Sequence, residues 1–341
     1  LKNKRIIISK TNQIGDVLFS LPIASALKEK EPSCKIIVLG RLYTKDLIEH
    51  YKDADEFADW DAIDKLSKRS AVNALKALNA DIMLHVQPRK KIARYAKLAK
   101  IPYRIGTYGR LFHWFTCNRL VRLSRKKSPL HETQLDMQIM KPFGIKKNFS
   151  LKEIIKLQHF TPFKNQFPAL TYLQADKFNL ILHTLTRGRN REWPLEKFAA
   201  LVRALPKTKF RIFVTGVENE GKEIRPILVN PFQNSDEFAE VVDLTGKLSL
   251  SELMQFISKA DGMICAPTGP VHLAAAFGLH TLGLYPPIKP FHAGRWGPVG
   301  KNAQQITIDK VCEACRNKDS CPCMAAIGVS NVKKVVMSWL Q

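Results

Sequence analysis

The chain has 341 residues, of which 45% are hydrophobic, and a formal net charge of +24. This length is sufficient for two domains, each with its own core. No stretch approaches the ~18 consecutive apolar residues of a membrane span. The first apolar run consists of three isoleucines at 6–8 and is too short for a signal-peptide core, so we expect a soluble cytoplasmic protein.

The positive charge is concentrated in one part of the chain. Residues 82–131 contain thirteen Lys or Arg residues and no Asp or Glu. Such a surface attracts nucleic acid, an anionic membrane or a phosphorylated glycolipid. The alternative is a solvated basic face that serves solubility. Fifty residues without an acid favour the first interpretation.

In the first half of the chain, short β-branched runs alternate with amphipathic helices. Residues 5–9 predict a buried strand, 15–30 a helix and 35–40 the next strand, which together form a βαβ unit of a parallel sheet. Further predicted elements are strands at 81–86 and 103–106 and a helix at 90–100. The pattern weakens between 143 and 177, which we interpret as a linker or edge segment.

The alternation restarts at residue 178. The predicted strands are 178–183, 210–215, 241–242, 262–265 and 281–284, and the predicted helices are 194–204, 218–228, 249–259, one that opens at 268–269 and a last one at 330–340. Ser249 and Glu252 have the spacing of a capping box.

Two such halves predict two Rossmann-like lobes with a cleft between them. The expected lobes are 1–165 and 170–328, followed by a C-terminal helix at 329–341 that is able to cross back to the first lobe. Ligands of parallel sheets bind beyond the carboxyl ends of the strands, so functional residues are expected there.

Two candidate sites lie beyond the end of a predicted strand. Asp16 stands at the first helix start, where it is either a general base or a helix cap. The loop 184–193 (TLTRGRNREW) carries three arginines, whose planar guanidinium groups fit phosphate oxygens. The alternative for this loop is an exposed basic segment.

Two further candidates follow later strands. In CAPTGPVHLAAAFG (265–278), Thr268 offers a hydroxyl, Gly269 a backbone N–H, and His272 lies one helical turn further on. A helix start of this kind can hold an anion. The alternative is an ordinary helix cap with His272 packed as a neutral core residue. Glu218 could accept hydrogen bonds from ribose hydroxyls, or it simply favours its helix N-terminus.

The seven cysteines do not suggest a disulfide scaffold. Cys34, Cys117 and Cys265 are expected to be small core residues. The other four form a C-x2-C-x5-C-x-C cluster at Cys312, Cys315, Cys321 and Cys323, which could bind zinc or an iron–sulfur cluster. This is not a common finger spacing, so we expect reduced thiols in a surface loop, with a structural metal as the alternative.

Taken together, these pieces make the chain resemble glycosyltransferase family 9, the ADP-heptose:lipopolysaccharide heptosyltransferases. The resemblance is carried by IGDVLFSLPIASALK (14–28), REWPLEKFAALVRAL (191–205), VVDLTGKLSLSELMQFISKADGMI (241–264) and TGPVHLAAAFG (268–278). It implies an α/β GT-B fold. It also implies an inverting, metal-independent transfer of a heptose from ADP-heptose to the lipopolysaccharide inner core, either Kdo-lipid A or heptosyl-Kdo, without a cofactor.

The resemblance also implies roles for individual residues. Asp16 matches the base that deprotonates the acceptor hydroxyl, and Glu218 the acid that binds the adenosine ribose. The residues implied to bind the donor are Thr186, Arg191, Glu218, Leu248, Thr268, Gly269 and His272. One position departs from the family pattern, because Pro267 stands where an Asp usually precedes Thr-Gly. This points to an altered contact with the donor sugar.

The acid-free stretch falls in the predicted acceptor lobe. We expect acceptor carboxylates or phosphates to meet Arg89, Lys90, Lys91, Arg94 and Arg110. We expect this face to rest on the inner face of an anionic inner membrane, with Trp114 and Phe115 dipping into it. The alternatives are a family member with another nucleotide-sugar donor, and a non-catalytic binder of anionic lipid or nucleic acid. No nucleic-acid recognition motif accompanies the charge, so we expect no nucleic-acid partner.

Overall fold

The computed structural model describes residues 1–125, 128–145, 148–164, 166–186, 191–289, 292–310, 312 and 321–341. The chain divides into two compact units, Leu1–Phe163 and Lys164–Gln341. The boundary lies within the segment 143–177 in which the sequence pattern weakens.

The first unit is built on a six-stranded parallel sheet in the order β3-β2-β1-β4-β5-β6. Its strands are β1 Arg5–Ser9, β2 Lys35–Gly40, β3 Glu56–Asp59, β4 Ile82–Leu84, β5 Tyr103–Thr107 and β6 Arg119–Val121. Its helices are α1 Ile14–Ser20, α2 Pro22–Lys30, α3 Lys45–Glu49, α4 Trp60–Lys65, α5 Lys68–Ala77, α6 Lys90–Leu98, α7 Leu111–Thr116, α8 Glu132–Met137 and α9 Leu151–Lys156, with 3₁₀ turns at Leu42–Thr44 and Gln138–Phe143.

The second unit repeats this plan with the order β12-β11-β10-β7-β8-β9. Its strands are β7 Phe178–His183, β8 Phe210–Thr215, β9 Val241–Asp243, β10 Gly262–Cys265, β11 His280–Leu284 and β12 Ala303–Ile306. Its helices are α10 Leu195–Ala204, α11 Glu218–Ile224, α12 Leu250–Lys259, α13 Gly269–Ala276, α14 Ala293–Trp296, α15 Pro322–Ala325 and α16 Val329–Ser338, with a 3₁₀ turn at Pro168–Tyr172 and a π turn at Arg225–Val229.

The central strands are apolar on both faces because helices cover both sides of a parallel sheet. Ile6, Ile7 and Ile8 of β1 are fully buried, as are Leu180 and Ile181 of β7. The last helix, α16, belongs to the second unit, and its Val332, Val336 and Trp339 pack in the same core as α10.

The structure corrects two predicted helices. The single helix expected at 15–30 is two helices, because Pro22 lacks the N–H that would continue the hydrogen-bond ladder and instead opens α2. The helix expected at 218–228 is α-helical only to Ile224 and continues as the π turn. The capping box of Ser249 and Glu252 is confirmed, with both hydrogen bonds formed.

The cysteines divide into two groups. Cys34, Cys117 and Cys265 are buried, as expected. Cys321 and Cys323 are also buried and pack in the core of the second unit, so the expected surface loop is wrong for these two. Cys312 packs against the same core, and Cys315 lies outside the described residues.

None of the described helices is both long and apolar enough to span a membrane.

Trp193 holds the residues that directly precede α10 against the core of the second unit. It is buried, its Nε1 donates a hydrogen bond to the Ile327 carbonyl oxygen at 3.0 Å, and its ring meets Phe198 edge-on. Trp193→Ala should lower the free energy of unfolding by about 3–5 kcal/mol, because it leaves a cavity and an unsatisfied carbonyl. Urea unfolding measures this loss. Phe115→Ala, at an exposed aromatic position of α7, is the control and should stay within about 0.5 kcal/mol of the parent. Equal losses for both variants would contradict the assignment of Trp193 to the core.

Candidate active site

The strand order of each sheet creates one position where a ligand can enter. The order reverses between β1 and β4 in the first unit and between β7 and β10 in the second. At such a reversal the connecting helices lie on opposite faces, which leaves a crevice beyond the carboxyl ends of the strands. We call this side of each sheet its carboxyl edge. Most of the candidate residues lie in the segments that leave it.

In the first unit, hydrogen bonds connect the segments that follow β1 and β4, the two strands at the reversal. The Gln87 Oε1 accepts hydrogen bonds from the Thr11 backbone N–H and hydroxyl, both at 2.9 Å. The Gln87 N–H in turn donates to the Ser9 carbonyl oxygen at 3.1 Å. These bonds set the course of the chain between β1 and α1, which carries Asp16.

Asp16 lies in the first turn of α1, and its side chain is 20% exposed. It is not the helix cap: Gln13 occupies that position, without a side-chain capping bond. The alternative that Asp16 merely caps its helix is therefore wrong. The carboxylate is oriented instead by Lys10, whose Nζ lies 3.7 Å from its Oδ1.

Lys10 is held by a buried network of charges. Its Nζ lies 2.7 Å from Asp136 Oδ2, and the Arg125 guanidinium contacts Asp136 Oδ1 at 2.8 Å. Arg125 also pairs with Glu132. The Lys10, Asp136 and Glu132 side chains are almost completely buried. With Asp16, the network contains two cations and three carboxylates.

This environment raises the pKa of Asp16 above its ordinary value. Burial is the largest cause, since it disfavours the charged form; Lys10 opposes it, Glu132 adds to it and Arg125 opposes it. A carboxylate with raised proton affinity that still reaches the surface has the properties of a general base.

In the second unit, the described residues on either side of 187–190, after β7, are held in place. The Thr186 backbone N–H and hydroxyl donate to Glu192 Oε1 at 2.5 and 2.6 Å. Trp193, buried beside Glu192, anchors the end of the loop that leads into α10. Arg191 lies immediately before this anchor and is half-buried. Two of the three predicted loop arginines, Arg187 and Arg189, lie outside the described residues.

Glu218 opens α11 after β8 and is held by a chain of ion pairs. Both of its carboxylate oxygens contact the Arg225 guanidinium, at 2.7 and 2.8 Å. Arg225 Nε bonds to Asp243 Oδ2 at 2.8 Å. The hydrogen bond from Arg225 lowers the pKa of Glu218, so this carboxylate is an ionised acceptor at neutral pH.

A glycine lies directly against Glu218, where a side chain would not fit. Gly246 has φ +73°, and a Cβ at this position would lie 3.1 Å from the Glu218 Cα and 2.5 Å from its Oε2. Gly246 N–H donates to the Gly216 carbonyl oxygen at 2.9 Å, which joins the segments after β8 and β9. Half-buried Leu248 follows two residues later. The result is a carboxylate and an aliphatic side chain on adjoining segments.

The start of α13 follows β10. Thr268 occupies the cap position without a side-chain capping bond, and its hydroxyl instead donates to the Ala266 carbonyl oxygen at 3.3 Å. Thr268 is therefore the cap residue, as that alternative expects, but its hydroxyl makes no capping bond. The Thr268 N–H is used within the turn, and Pro270 has no N–H, so Gly269 is the residue that can offer an amide here. His272 is buried on the first turn.

The five predicted acceptor residues are all exposed. Arg89, Lys90, Lys91 and Arg94 lie at or near the start of α6, after β4, and Arg110 precedes α7, after β5. All five therefore lie in segments that leave the carboxyl edge that also carries Asp16. Lys91 is engaged by Asp64, with Nζ 2.6 Å from Oδ1.

The four-cysteine cluster is not brought together as a metal site in the described part of the chain. Within those residues no group of three or more His, Cys, Asp or Glu side chains could hold a metal ion. Cys315 and most of its neighbours lie outside them.

Several residues of these sites were not predicted. Lys10, Arg125, Glu132 and Asp136 support Asp16, while Glu192 and Arg225 support Thr186 and Glu218. One signal was present in the sequence: Glu132 and Asp136, at i and i+4, are the first acids after the acid-free stretch and share a helix face.

Comparison with known proteins identifies the family. The model of glycosyltransferase family 9 (heptosyltransferase) matches residues 69–324. The lipooligosaccharide heptosyltransferase 2 of Haemophilus influenzae is 23% identical over 305 residues, which covers 84% of both chains. The solved structure of a family 9 glycosyl transferase from Veillonella parvula aligns with a TM-score of 0.78 at 19% identity, covering 100% of this chain and 98% of that one. The E. coli heptosyltransferase WaaC with ADP aligns with a TM-score of 0.72 at 20% identity, covering 98% and 99%.

The family match covers well over half of the chain. The chain therefore belongs to glycosyltransferase family 9 (heptosyltransferase), and the expectation drawn from its motifs is confirmed. It is a glycosyltransferase with the GT-B fold of two parallel α/β units. The alternative of a non-catalytic binder is not supported.

The raised pKa of Asp16 has a consequence for stability. A carboxyl group whose pKa is raised in the folded state opposes folding once it is ionised, so its cost is absent below about pH 3.9 and grows as the pH rises through the folded pKa. Asp16→Asn should therefore raise the free energy of unfolding at about pH 8 and change it little at about pH 3, as measured by urea unfolding.

Asp55 is the matched control, because its side chain is exposed to a similar extent, 19%. Burial raises the pKa of Asp55, but hydrogen bonds from the Ile36 N–H, Lys28 and Lys35 outweigh burial and lower it. Asp55→Asn should therefore lose stability at about pH 8 relative to about pH 3. The same sign of pH dependence in both variants would refute this account of Asp16.

Proposed function

We propose that this glycosyltransferase moves a heptose from ADP-heptose to the inner core of lipopolysaccharide, with inversion and without a metal ion. The observation that carries the proposal is Asp16, a partly exposed carboxylate of raised pKa held by buried Lys10 where the strand order reverses. The second unit carries the proposed nucleotide site where its own strand order reverses, between β7 and β10. The family relative solved with ADP supports this choice of nucleotide.

The reaction is a single displacement. Asp16 accepts the proton of the acceptor hydroxyl as the hydroxyl oxygen bonds to the anomeric carbon of the heptose. The bond from that carbon to the diphosphate oxygen breaks, and ADP leaves with the electron pair. Attack on the face opposite the leaving group inverts the anomeric configuration. Lys10, fixed by Asp136, keeps the Asp16 carboxylate oriented during this step.

The donor is held by residues of the second unit. Glu218, fixed by Arg225, accepts hydrogen bonds from the ribose hydroxyls. Leu248 contacts adenine beside Gly246, which has no side chain to obstruct the ring. The charge that develops on the diphosphate is stabilised by Arg191, the Gly269 amide and the positive end of α13. Thr186, Thr268 and His272 complete the set of donor residues.

The acids of the two candidate metal-binding sequences are already engaged in contacts. This favours fixed cations over a metal ion as the counter-charge for the diphosphate. The chain has two Asp-x-Asp sequences, 53–55 and 59–61, and both lie in the first unit. Asp53 accepts from Ser25 and Asp55 pairs with Lys28. Asp59 caps α4 and Asp61 pairs with Arg41. All four carboxylates are thus used in structural contacts.

The acceptor is an anionic glycolipid, either Kdo-lipid A or heptosyl-Kdo. Exposed cations near the carboxyl edge of the first unit, Arg89, Lys90, Arg94 and Arg110 among them, match its phosphate and carboxylate groups. Such an acceptor places the enzyme in the cytoplasm, peripheral on the inner face of the inner membrane. The chemistry leaves no role for nucleic acid as a partner.

A second candidate is the same transfer with a different nucleotide sugar. Pro267 favours it, because a prolyl ring cannot accept the sugar hydroxyl hydrogen bonds that an Asp at this position accepts.

Asp16→Asn should lower kcat by about 10²–10⁴-fold, because it removes the proton acceptor. ADP binding should be retained, because the donor residues are on the other unit. ADP release measures turnover and calorimetry measures ADP binding. Asp46→Asn, in the first turn of α3, is the control and should keep full activity. Normal turnover of Asp16→Asn would remove Asp16 from the role of base.

The donor is tested with a panel of sugar nucleotides. ADP at about 100 times its dissociation constant should add about 2.7 kcal/mol of stability and raise Tm, whereas UDP should not. The parent enzyme should turn over ADP-heptose faster than any UDP-sugar or other ADP-sugar. A preference for another sugar, with ADP-heptose use gained in Pro267→Asp, would establish the second candidate instead.

A further inference from the structure

The short helix α7 turns its apolar side outward. Leu111 is 74% exposed, Phe115 69% and Trp114 48%, and the first two are the most exposed large apolar side chains in the described part of the chain. Spaced at i, i+3 and i+4, they share one helix face. We call these three residues the α7 surface.

The outward orientation is fixed by the opposite side of the helix. His113 is fully buried, and its Nδ1 accepts a hydrogen bond from the Thr107 N–H at 2.9 Å. A Cβ on Gly106 would lie 2.7 Å from the His113 ring, so glycine permits this close packing. Trp114 Nε1 donates to the Tyr108 carbonyl oxygen at 2.9 Å, and Lys97 Nζ donates to the Phe115 carbonyl oxygen at 2.9 Å. The α7 surface therefore cannot turn inward without breaking these contacts.

The α7 surface is bordered by positive charge. Arg110 precedes the helix, Lys97 contacts its last turn, and the Arg122 guanidinium lies over the Tyr108 ring at 5.3 Å. The stretch 82–131 that contains these residues carries no acid. Apolar and aromatic side chains surrounded by Lys and Arg are the composition of a segment that lies in an anionic bilayer interface.

We propose that the α7 surface inserts into the headgroup region of an anionic phospholipid membrane, with the surrounding cations on the lipid phosphates. A second copy of the chain fits poorly, because each copy carries a net charge of +24 and an acid-free stretch at this surface. Nucleic acid fits less well, because Leu111, the most exposed of the three residues, cannot stack on a base, and only Trp114 and Phe115 offer aromatic rings.

The position of the α7 surface adds to the proposed function. This step rests on the proposed function only for the identity of the acceptor. α7 follows β5 and therefore starts on the carboxyl edge that carries Asp16. Insertion of α7 brings this edge to the lipid surface, where a glycolipid acceptor presents its sugar. Membrane binding itself requires neither donor nor acceptor, so the two proposals can fail separately.

The test is co-sedimentation of the full chain with vesicles that contain no glycolipid. The parent should bind vesicles of equal parts phosphatidylcholine and phosphatidylglycerol, and bind pure phosphatidylcholine vesicles much more weakly. Leu111→Ser/Phe115→Ser should lower partitioning onto the mixed vesicles by at least about tenfold, because the two most exposed apolar groups are lost. Leu42→Ser/Leu66→Ser, at two other exposed leucines of the first unit, is the matched control and should bind as the parent does.

Quenching by brominated phosphatidylcholine in the mixed vesicles locates the contact. Part of the tryptophan fluorescence of the parent should be quenched, and Trp114→Phe should abolish this quenching while it still sediments with the vesicles. Parent-like binding by Leu111→Ser/Phe115→Ser, or unchanged quenching in Trp114→Phe, would overturn the proposal. A third result would also overturn it. If Leu111→Ser/Phe115→Ser lost binding to a single-stranded RNA oligonucleotide but kept binding to the mixed vesicles, the surface would be assigned to nucleic acid.

Discussion

Parallel pairing around a reversal of strand order decides where chemistry can occur in each unit. Because all strands of a sheet point the same way, their carboxyl ends share one edge. Because the order reverses next to β1 and next to β7, the flanking connections leave on opposite faces and a crevice stays open at that edge. Asp16 follows β1, and Thr186 and Thr268 follow β7 and β10. The same topology, used twice, gives the Asp16 segment one such edge in the first unit and the Thr186 and Thr268 segments another in the second.

The buried charges beside Asp16 are explained by function better than by stability. Taking Lys10 and Asp136 out of water costs several kcal/mol for each ion, and a hydrophobic pair of similar volume often serves a fold equally well. Their geometry is uneven, since Lys10 Nζ lies 2.7 Å from Asp136 but 3.7 Å from Asp16. Asp136 therefore neutralises Lys10 at close range, and Asp16 retains much of the proton affinity that burial gives it.

How far the sequence predicts this structure depends on what each residue contacts. Central strands such as β1 and β7 are buried on both faces, so their apolar runs are visible in the sequence. The outer strands β3 (EFAD), β6 (RLV) and β12 (AQQI) lack such runs and were not predicted. Asp16 follows a predictable strand, so its position at the start of a helix was predicted, while its role as the base stays a prediction. Lys10 and Asp136 are 126 residues apart, and only the fold brings them together.

The start of α13 offers fewer free backbone amides than a typical anion-binding helix start. An anion at a helix start is normally held by several free amides. Here Pro270 has no N–H, and the Thr268 N–H donates to the Ala266 carbonyl oxygen at 2.7 Å. Pro267 removes a further polar group from the same turn. If the leaving diphosphate lies at this turn, as proposed, more of its charge must be balanced by side chains. Arg191, two residues before buried Trp193, is the cation proposed for this role. Under the proposed function, the family motif is retained while the contacts to the diphosphate move from backbone amides to a guanidinium group.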